Sequence, residues 1–253
     1  MDVRALFEKE LTERGIPFQI DSETGLHAIE IDGWNATISL DNLQRDCAKD
    51  EDVGRVSRFV DSIIASATTA DSALSVDQLY WTLEPNNYEV PADYRVTISK
   101  EVDRVLVHLS SDGSLITWAT PAMLETLQIS AEEAAAKAFE NLAHALTEAT
   151  IETQDIDGVQ LGYLATTLPF KAALILAPNL RETAEPALGW PLLAVLPDRD
   201  FLYLWDATQQ DLVGRLGPVV VREYTNSSYP ISTEVYHVSE QEIRAIGAFP
   251  VPE

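Results

Sequence analysis

The stretch Leu192-Leu193-Ala194-Val195-Leu196-Pro197-Asp198-Arg199-Asp200-Phe201-Leu202-Tyr203-Leu204-Trp205-Asp206 constrains the fold more than any other part of the chain. Two apolar runs of strand length flank a tight polar break, and the break is built from Pro and Asp, which favour turns. The pattern predicts a β-hairpin over 191–196 and 201–205.

Other segments add to the same picture. Val3, Leu6, Phe7 and Leu11 share one helical face, and Gly15 and Pro17 end that helix. Short runs with strand character follow at 18–20, 26–31 and 34–40. Thr24-Gly25 and Asp32-Gly33 supply their turns, and Asp-Gly is a strong hairpin signal. Val53, Val56, Phe59, Val60, Ile63 and Ile64 recur at helical spacing over 51–67. The opening residues therefore read as helix, three-stranded meander, helix. The small, polar stretch 67–75 is the best boundary, and it divides the chain into domains 1–70 and 76–253.

Beyond that boundary a strand at 78–83 precedes an irregular segment around Pro85 and Pro91. A second hairpin joins 104–109 to 115–119 through Ser111-Asp112-Gly113. Ser130-Ala131-Glu132-Glu133 is a capping box opening a helix that reaches about Leu146. A strand is expected over 161–167, a helix over 170–176 and a last strand over 233–238. Gly214, Gly217 and Pro218 are expected to break any long helix after the central hairpin. Ser239-Glu240-Gln241-Glu242 reads as a second capping box opening a short terminal helix. Hairpin-linked strands in blocks between helices, without strict strand–helix alternation, imply an α+β fold: mainly antiparallel strands with helices packed on the sheet.

Charge narrows function. With 41 acidic and 17 basic residues, the 253-residue chain carries a formal charge of -24. Such a surface repels phosphate backbones and anionic lipid, so nucleic acid and membrane are not expected partners. A basic protein is the expected partner, and adaptation to salt is the competing explanation of the charge. The N-terminal residues lack a signal-peptide core and no apolar run approaches membrane-spanning length. A cytoplasmic location is expected.

Chemistry-bearing patterns are sparse. Cys47, the one cysteine, lies among Asp46, Asp50, Glu51 and Asp52, where a thiolate is disfavoured. His27, His108, His144 and His237 form no short-spaced ligand pair, and no metal or cofactor is expected. No phosphate-binding glycine loop, dinucleotide fingerprint or nucleophile elbow occurs. Asp155-Ile156-Asp157-Gly158 reads as a turn rather than a calcium loop. Trp81, Trp118, Trp190 and Trp205 lie on or beside apolar strands, where core packing is the default. Asp198, Asp200 and Asp206 cluster about the central hairpin with Arg199. These four, together with His237, are the candidate binding residues.

Three segments together resemble the YtpQ-like bacterial family, a domain of unknown function. They are Leu115-Ile116-Thr117-Trp118 running through Met123-Leu124 to Asn141-Leu142, then Pro197-Asp198-Arg199-Asp200 between its apolar strands, then Tyr229-Pro230-Ile231-Ser232. The resemblance spans about residues 75–245 and carries no assigned catalytic residues. Where relatives are expected to have Asp and Arg, near 165–174, this chain has Ala165-Thr166-Thr167-Leu168-Pro169-Phe170. The preferred expectation is a non-enzymatic, acidic protein-interaction module, immunity- or chaperone-like. The alternative is a small-molecule hydrolase or cation-dependent enzyme using carboxylates near Asp198–Asp206.

Overall fold

A computed structural model of the chain has an α+β architecture with antiparallel sheets. It describes every residue except 23–24, 50–51, 53, 70–73, 88–91, 112, 114 and 253. The expected turn at Thr24, the helix start at Val53, Asp50 and Glu51 beside Cys47, the middle of the boundary stretch, the second half of the irregular segment (88–91) and the turn centre Asp112 lie outside the described residues, whereas the first half of that segment begins inside a strand that runs to Pro85.

The chain divides into two compact units, one of Met1–Leu74 with Ser110–Leu115, the other of Ser75–Leu109 with Ile116–Glu253. In the first, Asp2 caps α1 (Val3–Glu13) by accepting from the Ala5 amide at 3.0 Å. Strands β1 (Phe18–Ile20), β2 (His27–Ile31) and β3 (Trp34–Ile38) form an antiparallel meander. Its tight turn puts Asp32 at φ 50° and Gly33 at φ 88°, the two positive dihedrals that an Asp-Gly pair accepts most easily. Helices α2 (Asp41–Lys49) and α3 (Gly54–Thr69) follow. Phe7, Leu11, Ile29, Cys47, Val60 and Ile63 close the core. The meander is thus followed by two helices rather than one. The buried positions found in α2, Leu43 and Cys47, are a single i, i+4 pair, too sparse to register as a helical period.

The second unit opens with a 3₁₀ turn, Val76–Gln78, and strands β4 (Leu79–Pro85), β5 (Arg95–Thr97), β6 (Val102–Leu109) and β7 (Ile116–Trp118). β6 is central, with β4 on one side and β5 and β7 on the other. Then come α4 (Pro121–Leu127) and α5 (Ala131–Glu148), the latter opened by the expected Ser130–Glu133 box. α5 lies on the sheet through Ala134, Ala138, Leu142 and Leu146. Asn141 donates to the carbonyls of Val76 and Leu79 at 2.9 and 2.8 Å, and the Trp81 indole donates to Ala135 at 3.1 Å.

The remaining elements are β8 (Thr150–Ile156), β9 (Val159–Ala165), a 3₁₀ segment Lys171–Leu176, α6 (Leu180–Leu188), β10 (Leu192–Val195), β11 (Tyr203–Asp206), α7 (Asp211–Asn226), β12 (Glu234–Val238) and β13 (Ile243–Ala248). Their strands make one antiparallel sheet in the order β13-β12-β10-β11-β9-β8. The expected hairpin is β10–β11, inside this sheet. Successive side chains leave a strand on opposite faces. Leu192, Ala194, Leu204, Tyr236 and Val238 therefore join the large core beneath α5 and α6, whereas Leu193, Val195, Trp205 and Val235 meet Leu212, Leu216 and Val220 of α7.

Three further expectations are corrected. The helix expected over 170–176 is a 3₁₀ segment, and an α-helix, α6, follows it. α7 continues through Gly214, Gly217 and Pro218. Its apolar stripe covers a sheet face, and Gly217 admits the Phe249 ring, to within 2.9 Å of where a Cβ would sit. Burial outweighs the propensity cost of the breakers. Ser239–Glu242 opens β13, not a helix. The Ser239 hydroxyl accepts from the Glu242 amide at 3.3 Å as it would in a cap, but the Ser239 amide also bonds to the Glu242 carbonyl at 3.0 Å and closes a turn.

Candidate functional site

Asp198, Arg199 and Asp200 stand together in the β10–β11 loop. One Asp198 carboxylate oxygen accepts from the Asp200 amide at 2.7 Å, and the other accepts from the Ser227 hydroxyl. The Arg199 amide bonds to the Tyr229 carbonyl at 3.1 Å and the Ile231 amide to the Pro197 carbonyl at 3.0 Å. The Arg199 guanidinium lies 3.8 Å over the Tyr229 ring. Two of the segments that carry the family resemblance, 197–200 and 229–232, are therefore stitched to each other. Asp198 serves as the turn's internal hydrogen-bond acceptor.

Asp206 and His237 do not join them. Asp206 lies at the far end of β11, opposite Leu192, and accepts from the Thr208 amide at 2.7 Å and from the Thr208 hydroxyl. His237 pairs with Leu193 on β10 and with Arg244 on β13. Leu192 and Leu193 point to opposite faces, so Asp206 and His237 do as well. Among Asp198, Asp200, Asp206 and His237 there is no convergent acid–base set.

A different charge cluster forms around Glu84. Glu84 and Asp103 are directly paired across β4 and β6. Arg95 from β5 approaches Asp103 with Nε 3.3 Å from its carboxylate. Arg199 is the strongest charge opposing the desolvation of Glu84, assisted by the Thr82 hydroxyl and by Arg95, yet burial prevails and pushes the Glu84 carboxyl up to about 7. Asp103 Oδ1, Arg95 Nη2 and Arg199 Nε are buried without hydrogen-bond partners among the described residues. Of this cluster the sequence patterns single out Arg199 alone, and not Glu84, Arg95 or Asp103. The available signal was an acid inside each of two apolar strands, Leu83-Glu84 and Val102-Asp103.

A second buried network joins the two sheets of this unit. The Glu234 carboxylate accepts from the hydroxyls of Ser99 and Tyr236, at 2.5 and 2.7 Å. The Ser232 hydroxyl lies 2.9 Å from the Glu101 carboxylate and accepts from the Glu234 amide. Burial, and then the Glu234 charge, raise the Tyr236 phenol far above its ordinary range. This network is enclosed and serves as a stitch.

An open cleft of about 760 Å³ lies between α6 with the 3₁₀ segment before it, the middle of α5 at Phe139, and the β12–β13 turn. Leu176, Leu180, Val238 and Ile243 supply apolar lining, Phe139 and Trp190 supply aromatic surface, and Arg181, Glu182, Glu240 and Glu242 supply charge. Arg181 is engaged by Glu185 and Glu240, and Glu242 by Arg244. Among the described residues Glu182 makes no ion pair. Trp81 and Trp205 are core residues, whereas Trp118 and Trp190 are only partly buried.

No described group of His, Cys, Asp and Glu has the arrangement of a metal site, and no described helix is long and apolar enough to cross a membrane. The chain matches no family model, no curated protein and no solved structure.

Proposed function

We propose that this protein is a non-enzymatic, acidic interaction module of the bacterial cytoplasm, a YtpQ-like protein whose partner is a basic protein. The observation that carries the reading is how the few cations are placed. Arg14, Arg58, Lys137, Arg181, Arg215, Arg222 and Arg244 are each held by carboxylates of the same chain. A formal charge of -24 is left over. The excess steers positively charged partners and repels nucleic acid.

The cleft gives such a partner somewhere to settle. Its apolar and aromatic lining with net acidic charge suits a side chain or segment that is both cationic and apolar. The enzymatic alternative draws less support, because Asp198 and Asp206 spend their carboxylates on turns at opposite ends of β11.

Tagged protein incubated with lysate of the source organism, washed at low and at high salt and read by mass spectrometry, tests the proposal. A basic protein retained at low salt, released at high salt and bound again after purification is the expected result. Retention of acidic proteins only, or binding indifferent to salt, would count against it.

A further inference from the structure

The six-stranded sheet has two edges, and they differ. At β13 the register shifts: Tyr236 pairs with Ala245, Val235 with Gly247, and Ile246 is the extra residue. Such a bulge twists an edge away from further pairing. At the other edge, β8 pairs with β9 in unbroken register from Thr150 to Ile156. Its sequence, Thr-Ile-Glu-Thr-Gln-Asp-Ile, has no Lys, no Pro and no bulge. Every second residue of such an edge turns its amide and carbonyl outward, and no described strand receives them.

We propose that β8 is a docking strand, to which an extended segment of a basic partner adds as a seventh strand. This rests on the reading of the preceding subsection and names the surface and the partner's chemistry. The register aligns Glu152, Tyr163 and Tyr203 across β8, β9 and β11 on one face of the sheet. Phe201 extends the row, its ring 4.2 Å from that of Tyr203. Tyr163 is 37% exposed and stands directly opposite Glu152. A solvent-facing tyrosine, Tyr163, beside an acid suits a lysine or arginine, which pairs with the carboxylate and lies over the ring. On the other face Ile151 is half-covered and presents an apolar neighbour.

The fitting segment therefore alternates: basic residues beside Glu152 and Tyr163, β-branched residues beside Ile151. The strand's own charges are Glu152 and Asp155, and Arg215 at the adjoining turn is already bound to Asp157. A second copy of this chain fits poorly, since it would bring the same acids and another charge of -24 to the edge.

The test uses the full chain and three capped heptapeptides of alternating lysine and valine. One is unmodified, one is N-methylated on its lysine amides and one on its valine amides. In strand addition only one set of amides faces β8. One methylated peptide should lose about tenfold in affinity, as several hydrogen bonds disappear together, while the other binds like the parent. Glu152→Lys, at an exposed position, should weaken the parent peptide by a similar factor without changing the circular dichroism spectrum. Equal binding of both methylated peptides, still abolished by salt, would overturn strand addition and leave the acidic-module reading standing. Equal binding that ignores salt would overturn both. Absence of binding at low salt would overturn the docking strand alone, with the partner capture deciding the broader reading. A peptide-blocked dimer of the free chain would assign the edge to a second copy and overturn the proposed occupant.

Discussion

Glu84 is a carboxylic acid that this fold moves well away from ordinary solution chemistry. Its carboxyl is pushed from 4.5 up to about 7, first by burial, against the pull of Arg199, Thr82 and Arg95. A carboxyl whose proton is held more tightly in the folded state favours unfolding as pH rises. The unfolded chain releases that proton near 4.5, the folded chain only near 7, so the penalty grows through this window and is complete above it. Its full size is about 3 kcal/mol. Glu84→Gln is accordingly expected to match the parent near pH 4.5 and to exceed its stability by up to that amount near pH 8, in urea unfolding at both values. A constant difference across the range would show that Glu84 does not carry the effect. Gly189 makes a second residue-scale case. It ends α6 at φ +82°, and a Cβ there would collide with the Asp206 carboxylate. Gly189→Ala should cost about 1–3 kcal/mol in the same assay through backbone strain alone, with the collision adding to it.

At the scale of elements, local signals with a defined stereochemistry were legible. The Ser130–Glu133 box opens α5, Asp32-Gly33 turns β2 into β3, and Asp157-Gly158 turns β8 into β9 with φ of 53° and 89°. Ser130→Ala should lower stability by about 1 kcal/mol, visible as a downward shift in Tm. Elements whose reason to exist is tertiary were not legible. α7 contains two glycines and a proline and is held by Trp205, Leu193 and Val235 beneath its stripe. β8 carries its two apolar residues, Ile151 and Ile156, on opposite faces and depends on β9 for its order. The Ser239 turn satisfies the same side-chain bond as a helix cap, so Ser-x-x-Glu alone could not separate the two. The candidate site divided likewise. The 197–200 loop announced itself by composition, whereas the pairing of Glu84 with Asp103 depends on a cross-strand register that no linear spacing encodes.

At the scale of the whole molecule, the formal charge of -24 is the dominant property. Cations bound by neighbouring carboxylates are not available to a partner, and the remaining acids act together over a Debye length of about 8 Å at physiological salt. Such a field accelerates encounter with a basic protein more than it slows release. The measurement that tests this most directly is the association rate of the purified chain with its captured partner, followed from 20 to 500 mM salt. The expected result is an association rate that falls steeply with salt while the dissociation rate changes little. An association rate independent of salt would contradict an acidic module built to receive a basic protein.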